Sequence, residues 1–406
     1  MTDLERRTVL ATAAAALTGA AVGTAEAADK PSREVAIDHE NLTPEQRKLM
    51  GVRFKGLEAE SHLDFVTGFR RVMGRVGGNR DASTETERFL RAKGLSTLDD
   101  TDLNHEQAWN LITQDQPFAA RLRLMSTIQT LMWDRTMRAM HADRAELLTA
   151  LEKSDKSGPG KLELNPNLQI PDYARHEIHQ QPGGYVGDPL GGFVYHHAVT
   201  QGFRGGTADH DENHIEYTQQ HLKPADGKVK RVLDIACGTG QSTTPMKMRF
   251  PDAEVWGLEV GAPMVRYAHY RAAKMGLEVN FRHGLVEENG FPDNHFCMVT
   301  EHLMFHEVAV ENHEKIVKEI FRVLRPGGTF SHHDLVSEGN PKQKPSHTVT
   351  GKAQLWETTR HNNYEPHYLK YSGSDFPELL RKTGFVVSFP DRSGGGGTHV
   401  YATKPV

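Results

Sequence analysis

The sequence predicts an α/β fold: a doubly wound parallel sheet that follows a mostly helical first half. Three observations predict it. Between Lys230 and Phe330, short apolar runs alternate with helix-like stretches, the pattern of strands joined by crossover helices. The loop after the first of these runs, Asp234-Ile235-Ala236-Cys237-Gly238-Thr239-Gly240, is rich in glycine and opens a helix. From Asp38 to about Ser154 the pattern is helical instead, with apolar residues recurring every three or four positions.

The elements follow in chain order. Residues 1–27 read as an export signal. Arg6-Arg7 precedes an alanine-rich apolar run, and Ala25-Glu26-Ala27 has the small-x-small form of a cleavage site. The paired arginines resemble a twin-arginine signal, although Glu5 stands where a Ser or Thr is usual. This address implies a periplasmic or other extracytoplasmic destination; without it the expected location is cytoplasmic. Residues 28–160 are expected to form the helical domain. Thr43-Pro44-Glu45-Gln46 reads as a helix start, with a Thr cap, Pro at the first position and a capping-box Gln. Gly94 closes a short helix through Phe89 and Leu90, and Pro117 opens a longer one. On that helix Phe118, Leu122, Met125, Ile128 and Met132 form one apolar face, which predicts core packing.

Ser157-Gly158-Pro159-Gly160 is a chain breaker, and residues 161–224 form a connecting segment in which glycine, histidine and aromatic residues interleave. His176 and His179, three apart, could share a helix face and hold a metal. No cysteine or acidic pair nearby completes a zinc spacing, so no metal is assigned.

In the second half, strands are expected at Val232–Ile235, Glu254–Glu259, Val279–Arg282, Phe296–Val299 and Thr329–Val336. Helices are expected at Gln241–Phe250, Pro263–Lys274 and Glu311–Leu324, the last stopped by Arg325-Pro326-Gly327-Gly328. Ser374–Thr383 reads as a final helix, and Val386–Pro390 with His399–Thr403 as a closing hairpin around Gly394–Gly397.

Composition narrows the function. The chain has 406 residues, 37% hydrophobic and 25% charged, with a net charge of −5. A charge this close to balance implies no basic nucleic-acid surface. Two cysteines, Cys237 and Cys297, exclude a disulfide framework. No apolar stretch is long enough for stable membrane insertion after signal cleavage. The 23 histidines are numerous but scattered.

The glycine loop admits two readings. A dinucleotide fingerprint needs Gly-x-Gly-x-x-Gly, and from Ala236 the positions hold Ala, Gly and Gln. The alternative is a nucleoside site without phosphate, in which Glu259, ending the second strand, accepts both ribose hydroxyls. Val232–Gly240, Glu259, the Phe291-Pro292-Asp293-Asn294-His295-Phe296 turn and Arg322–Gly328 together resemble a class I S-adenosylmethionine-dependent methyltransferase. The resemblance spans residues 225–406 and implies a Rossmann-like sheet with a cap insertion at 345–372.

It also implies roles. Asp234, Ala236, Gly238 and Gly240 would line the methionine part of S-adenosyl-L-methionine, Glu259 its ribose and Val260 its adenine. Leu285 and Thr300 complete the expected cofactor contacts. Leu285 stands where the family has an Asp for the adenine amino group, so a backbone group or Glu287 is the expected substitute. Cys297 replaces another family Asp of structural role. The acceptor is expected to be a small organic molecule, methylated most readily on oxygen. Transfer to a hydroxyl benefits from a base near neutral pKa, and the candidates are His302, His306 and His333 at the ends of the fourth and fifth strands. Two other classes suit the same sequence: an exported binding protein that keeps the fold without turnover, and a histidine-dependent metalloprotein.

Overall fold

The computed structural model describes residues 31–37, 54, 56–78, 80–198, 211–361, 363–390 and 398–406. The export signal, the Thr43-Pro44 helix start and the Gly394–Gly397 turn lie outside the described residues. Residues Ser32–Val406 cluster into one unit.

The strands are β1 Leu162–Glu163, β2 Arg231–Ile235, β3 Glu254–Glu259, β4 Asn280–His283, β5 Phe296–His302, β6 Leu324–Asp334, β7 Val386–Ser388 and β8 Thr398–Thr403. They form one sheet in the order β1-β4-β3-β2-β5-β6-β8-β7. β1 through β6 pair in parallel, whereas β8 runs antiparallel to both β6 and β7. The chain moves outward from β2 to β3 and β4, then returns to lay β5 on the other side of β2. That reversal opens a crevice beyond the carboxyl ends of β2 and β5, where ligands of open α/β sheets bind.

The sheet is covered on both faces, so its central strands are apolar throughout. Leu233 of β2 and Val299 of β5 join one core with Phe330, Ile320 and Phe376. Their neighbours Val232 and Met298 join the opposite core with Val255, Val265 and Phe281. Successive side chains of a strand point to opposite faces, so adjacent apolar residues serve two cores. Helices α8 Thr243–Arg249, α9 Ala262–Lys274 and α10 His313–Val323 make the crossovers.

Five helices come from the first half: α1 Leu57–Gly78, α2 Arg80–Arg91, α3 His105–Ile112, α4 Gln116–Ala142 and α5 Arg144–Ser154. The apolar face of α4 does pack: Ile128, Met132 and Trp133 are buried against Phe193 and Val194 of α6 Gly191–His197, and against Tyr267 of α9. Ala108 and Ile112 of α3 pack on Val349 and Ala353 of α11 Val349–Arg360. The breaker at 157–160 leads into the edge strand β1. A Cβ on Gly160 would lie 1.9 Å from the Val279 carbonyl oxygen, so only glycine lets the chain pass there.

Two local readings need correction. β6 begins at Leu324, so Arg325–Gly328 belongs to the strand and is not only a helix stop. The segment pairs with the chain terminus, where Gly327 N donates to Lys404 O and Lys404 N to Gly328 O. His176 and His179 share no helix face. Asp172–Ala174 and Ile178–Gln180 are separate single turns, and His179 has φ 58. Both cysteines are buried free thiols, Cys237 in the loop after β2 and Cys297 on β5. No helix among the described residues is long and apolar enough to cross a membrane.

Candidate active site

A cavity of about 470 Å3 lies over the crevice between β2 and β5. One end is a bay built by the glycine loop and the end of β3; the other is a lobe built by loops from three parts of the chain.

In the bay, Glu259 is 5% exposed. Its Oε2 accepts from Gly238 N at 3.0 Å and its Oε1 from Gly261 N at 2.8 Å. Burial pushes its carboxyl above the usual range, while these amide donors oppose the rise. The loop turns at Ala236 (φ 50) and Gly238 (φ 50). A Cβ on Gly238 would meet nothing within 4 Å, so its backbone faces open space and a ligand can lie against it. Val260 and Met264 complete the wall. A smaller adjoining cleft reaches Asp234, Gln241 and His302. Asp234 is 1% exposed and accepts from Thr243 Oγ1 at 2.6 Å and Thr300 Oγ1 at 3.0 Å. Burial pushes its pKa up to about 7, and the nearby Glu301 and Glu259 carboxylates add to the rise.

The lobe carries Tyr185 and Tyr195 in an edge-to-face pair, with ring centroids 5.2 Å apart. Its polar groups are His179, His306, Glu307 and Glu365. His179 holds its left-handed backbone because Gln129 Nε2 and Trp133 Nε1 of α4 donate to its carbonyl, at 2.9 and 2.8 Å. His306 and Glu307 lie on the turn Phe305–Glu307 after β5. The backbone N and Nδ1 of His306 both donate to the carboxylate of Asp334, which has no exposure. Burial alone would lower the His306 pKa, but the Asp334 and Glu307 carboxylates overcome it and raise the pKa well above the ordinary histidine value. The two carboxylates thus favour the protonated form of His306. Burial, aided by Glu307, pushes Glu365 up to about 8. Burial lowers His179, against the pull of Glu307.

The residues expected from the sequence separate into two groups. Ala236, Gly238, Glu259, Val260, His302 and His306 line the cavity, and Asp234 lines the adjoining cleft. Thr300 is fully buried and acts on Asp234 through its hydroxyl. Gly240 sits behind the loop: a Cβ there would lie 3.1 Å from Ala268 and 3.3 Å from the Phe281 ring. Leu285 and His333 do not line the cavity. The His333 ring stacks on His302, centroids 4.9 Å apart and planes within 10°. Glu287 gives Oε1 to the Tyr173 hydroxyl at 2.7 Å, and its buried Oε2 has no hydrogen-bond partner among the described residues. Sequence reasoning weighed His179 only as a possible metal partner of His176 and gave no site role to Glu307 or Glu365. The segment 349–368 brings Gln354, Thr358, Asn363, Glu365 and Tyr368 over the lobe. The length and polarity of that segment was the only signal for Glu365.

These groups suit S-adenosylmethionine. The open Gly238 backbone and Asp234 would receive its methionine part, and Glu259, with lone pairs beyond its two amide contacts, the ribose hydroxyls. A pH dependence follows. In that placement ionised Asp234 would attract the cofactor's ammonium group, and protonated Asp234 would not. With a pKa of about 7, its ionised fraction rises about tenfold between pH 6 and pH 8. Glu259 is shifted in the same direction. Cofactor affinity measured by calorimetry is therefore expected to climb through pH 7 and level off above it, and to climb much less in Asp234→Asn. Equal slopes in the two proteins would remove Asp234 from the contact.

Comparison with known proteins agrees with this geometry. Residues 232–328 match a family model described as a methyltransferase domain. The demethylmenaquinone methyltransferase of Thermus thermophilus is 41% identical over 99 residues, which cover 24% of this chain and 44% of that protein. A ubiquinone/menaquinone biosynthesis C-methyltransferase of Neisseria meningitidis is 32% identical over 133 residues, 32% of this chain and 50% of that protein. The demethylmenaquinone methyltransferase of Listeria monocytogenes is 29% identical over 209 residues, 47% of this chain and 85% of that protein. The chain thus spans half or less of the length of the first two relatives.

Proposed function

We propose that this chain, which carries a methyltransferase domain over residues 232–328, transfers a methyl group from S-adenosylmethionine to an oxygen of a small, partly aromatic acceptor. The observation that supports this reading is one continuous cavity that runs from Glu259 and Gly238 to a lobe walled by Tyr185 and Tyr195, with His302 and His306 along it. When bound, S-adenosylmethionine supplies an electrophilic methyl group. The chain's own work is mainly to hold the acceptor in line with that methyl, since alignment supplies much of the acceleration.

His302 lines both the bay's adjoining cleft and the lobe, so it is the group to accept the acceptor's hydroxyl proton. His306, whose protonated form Asp334 favours, stabilises the oxyanion that results. His333 supports the His302 ring from behind and touches neither ligand. Glu287, whose Oε2 is buried without a hydrogen-bond partner among the described residues, does not line the cavity, so no side chain is assigned to the adenine amino group. A second reading, methylation on carbon, draws on the names of the quinone relatives. It uses the same oxyanion, which also activates a ring carbon.

The test is calorimetry of the protein with S-adenosylmethionine, followed by turnover of phenolic acceptors with a methyl-13C-labelled donor. A methyl carbon bonded to oxygen in the product spectrum supports the first reading, and one bonded to ring carbon the second. No binding at millimolar cofactor would sink both. Export also stands as a proposal, supported by Arg6-Arg7 and Ala25-Glu26-Ala27. Cell fractionation is expected to find the chain cut after Ala27 outside the cytoplasm, and uncut and inside in the Arg6→Lys, Arg7→Lys double variant.

A further inference from the structure

The polar groups of the acceptor lobe are more than a surface for hydrogen bonding. His179, Glu307 and Glu365 are far apart in sequence, yet one ligand atom from each lies within 4.8 Å of the others. His179 Nε2 is 3.6 Å from Glu307 Oε1, and His179 Nδ1 is 3.4 Å from Glu365 Oε1. These two approaches use different ring nitrogens, and one ion takes only one of them; two ligands bound about 2.1 Å from one metal ion lie roughly 3.0–3.4 Å apart, so the set has to close from separations of up to 4.8 Å. The Glu365 side chain is only 3% exposed. Its Oε2 is buried without a hydrogen-bond partner among the described residues, and so is Glu307 Oε2. Buried carboxylate oxygens normally find a donor or a cation.

Each ligand is held by its own element. Two α4 side chains hold the His179 carbonyl. Glu307 sits on the turn after β5, whose backbone N bonds to Met304 O at 2.9 Å. Glu365 is tied by its backbone N to Thr358 O at 3.3 Å, and its O accepts from Tyr368 N at 3.1 Å. Beside the cluster, His306 Nε2 stands 3.4 Å from Glu307 Oε1, while its Nδ1 donates to Asp334. The second acidic cluster, Glu301, His332 and Asp334, differs. Its oxygens already take His332, Met304 N, His306 and Leu335 N, which leaves none for an ion.

We propose that His179, Glu307 and Glu365 form a binding site for one divalent cation, with its open coordination positions facing the lobe. One imidazole and two carboxylates suit a first-row ion such as Mn2+, Fe2+ or Zn2+. Resting on the methyl-transfer reading, the site also names the acceptor class: a molecule with two adjacent oxygens that chelates the ion. The ion would lower the pKa of the oxygen to be methylated before His302 takes its proton.

The probe is Mn2+ alone, added to the full chain purified without a histidine tag and stripped with chelator. Free Mn2+ is followed by its paramagnetic resonance signal, and S-adenosylmethionine binding is measured by calorimetry on the same preparation. One Mn2+ per chain is expected. Glu365→Gln and Glu307→Gln should each weaken it at least about tenfold while cofactor binding is kept. Catechol, which offers two adjacent oxygens, is expected to perturb the signal of the bound ion. No Mn2+ uptake at millimolar concentration with cofactor binding intact overturns the site. Uptake that neither variant weakens overturns its placement on these residues. Should one variant fail to fold, the other and the wild-type stoichiometry decide. An unperturbed signal with catechol overturns the chelating acceptor. Mn2+ uptake without cofactor binding upholds the site and rejects methyl transfer instead.

Discussion

Glu259→Ala is expected to weaken S-adenosylmethionine binding by two to three orders of magnitude. Its carboxylate does two things at once. It holds the loop by accepting from Gly238 N and Gly261 N, and in the proposed reading it receives the ribose hydroxyls. Hydrogen bonds to a charged group contribute about 1.5–3 kcal/mol each. Losing two hydroxyl bonds therefore amounts to about 3–4 kcal/mol once the loop relaxes, and each 1.4 kcal/mol is tenfold. Glu259→Gln keeps the volume and one acceptor, so its loss should be intermediate. Calorimetry measures both, and a thermal melt of each variant separates lost affinity from lost fold. Affinity unchanged in Glu259→Ala would show that the ribose lies elsewhere.

Asp211→Asn is expected to destabilise the protein by about 3–5 kcal/mol, the usual effect of removing one partner from a buried ion pair. Asp211 is 1% exposed and Arg271 of α9 is 3% exposed. The carboxylate takes the Arg271 guanidinium and Gln241 Nε2, the latter at 2.7 Å, and His196 Nε2 stands 3.4 Å away. Burial already lowers the Arg271 pKa to about 9, so it stays charged at neutral pH and would be left buried without its counterion. Arg271 also donates to Gly240 O and Thr244 Oγ1, so the cofactor loop is coupled to this pair. Asn is the test residue because Asp211 has φ 63, a conformation that Asn tolerates better than other side chains do. The urea midpoint should fall, and cofactor affinity should fall with it. A midpoint unchanged within about 0.5 kcal/mol would mean that Arg271 finds solvent or another acceptor once the charge is gone.

Much of the sheet was legible before any coordinates. Val232–Ile235 and Glu254–Glu259 are strands within one residue of where periodicity put them, because a strand covered on both faces must be apolar along its length. The helix opened by Pro117 was legible for a similar reason, since Pro suits a first turn and nothing later in the run interrupts it. The positions read as cofactor contacts divide by what they depend on. Gly238 and Glu259 meet because β2 and β3 are neighbours in register, which the order of short motifs implies. Leu285 just after β4, Thr300 on β5 and Gly240 in the glycine loop lie off the cavity wall. Which side of a strand end or turn faces the crevice is a matter of one residue's rotation, and periodicity does not resolve that at a strand end.

By itself, then, the sequence determined the α/β class, the site at the end of the first strand and the acidic residue that closes the second. All three rest on interactions between residues near one another in the chain. Only the tertiary structure decided that Asp334 and Glu307 raise the His306 pKa, that His333 lies behind His302, and that His179, Glu307 and Glu365 meet in one lobe. Those outcomes depend on which loops cross over the crevice. Chain crossings are set by the packing of α4, α11 and the sheet as a whole, and no local pattern of residues encodes the distance between side chains that lie 58 to 186 positions apart.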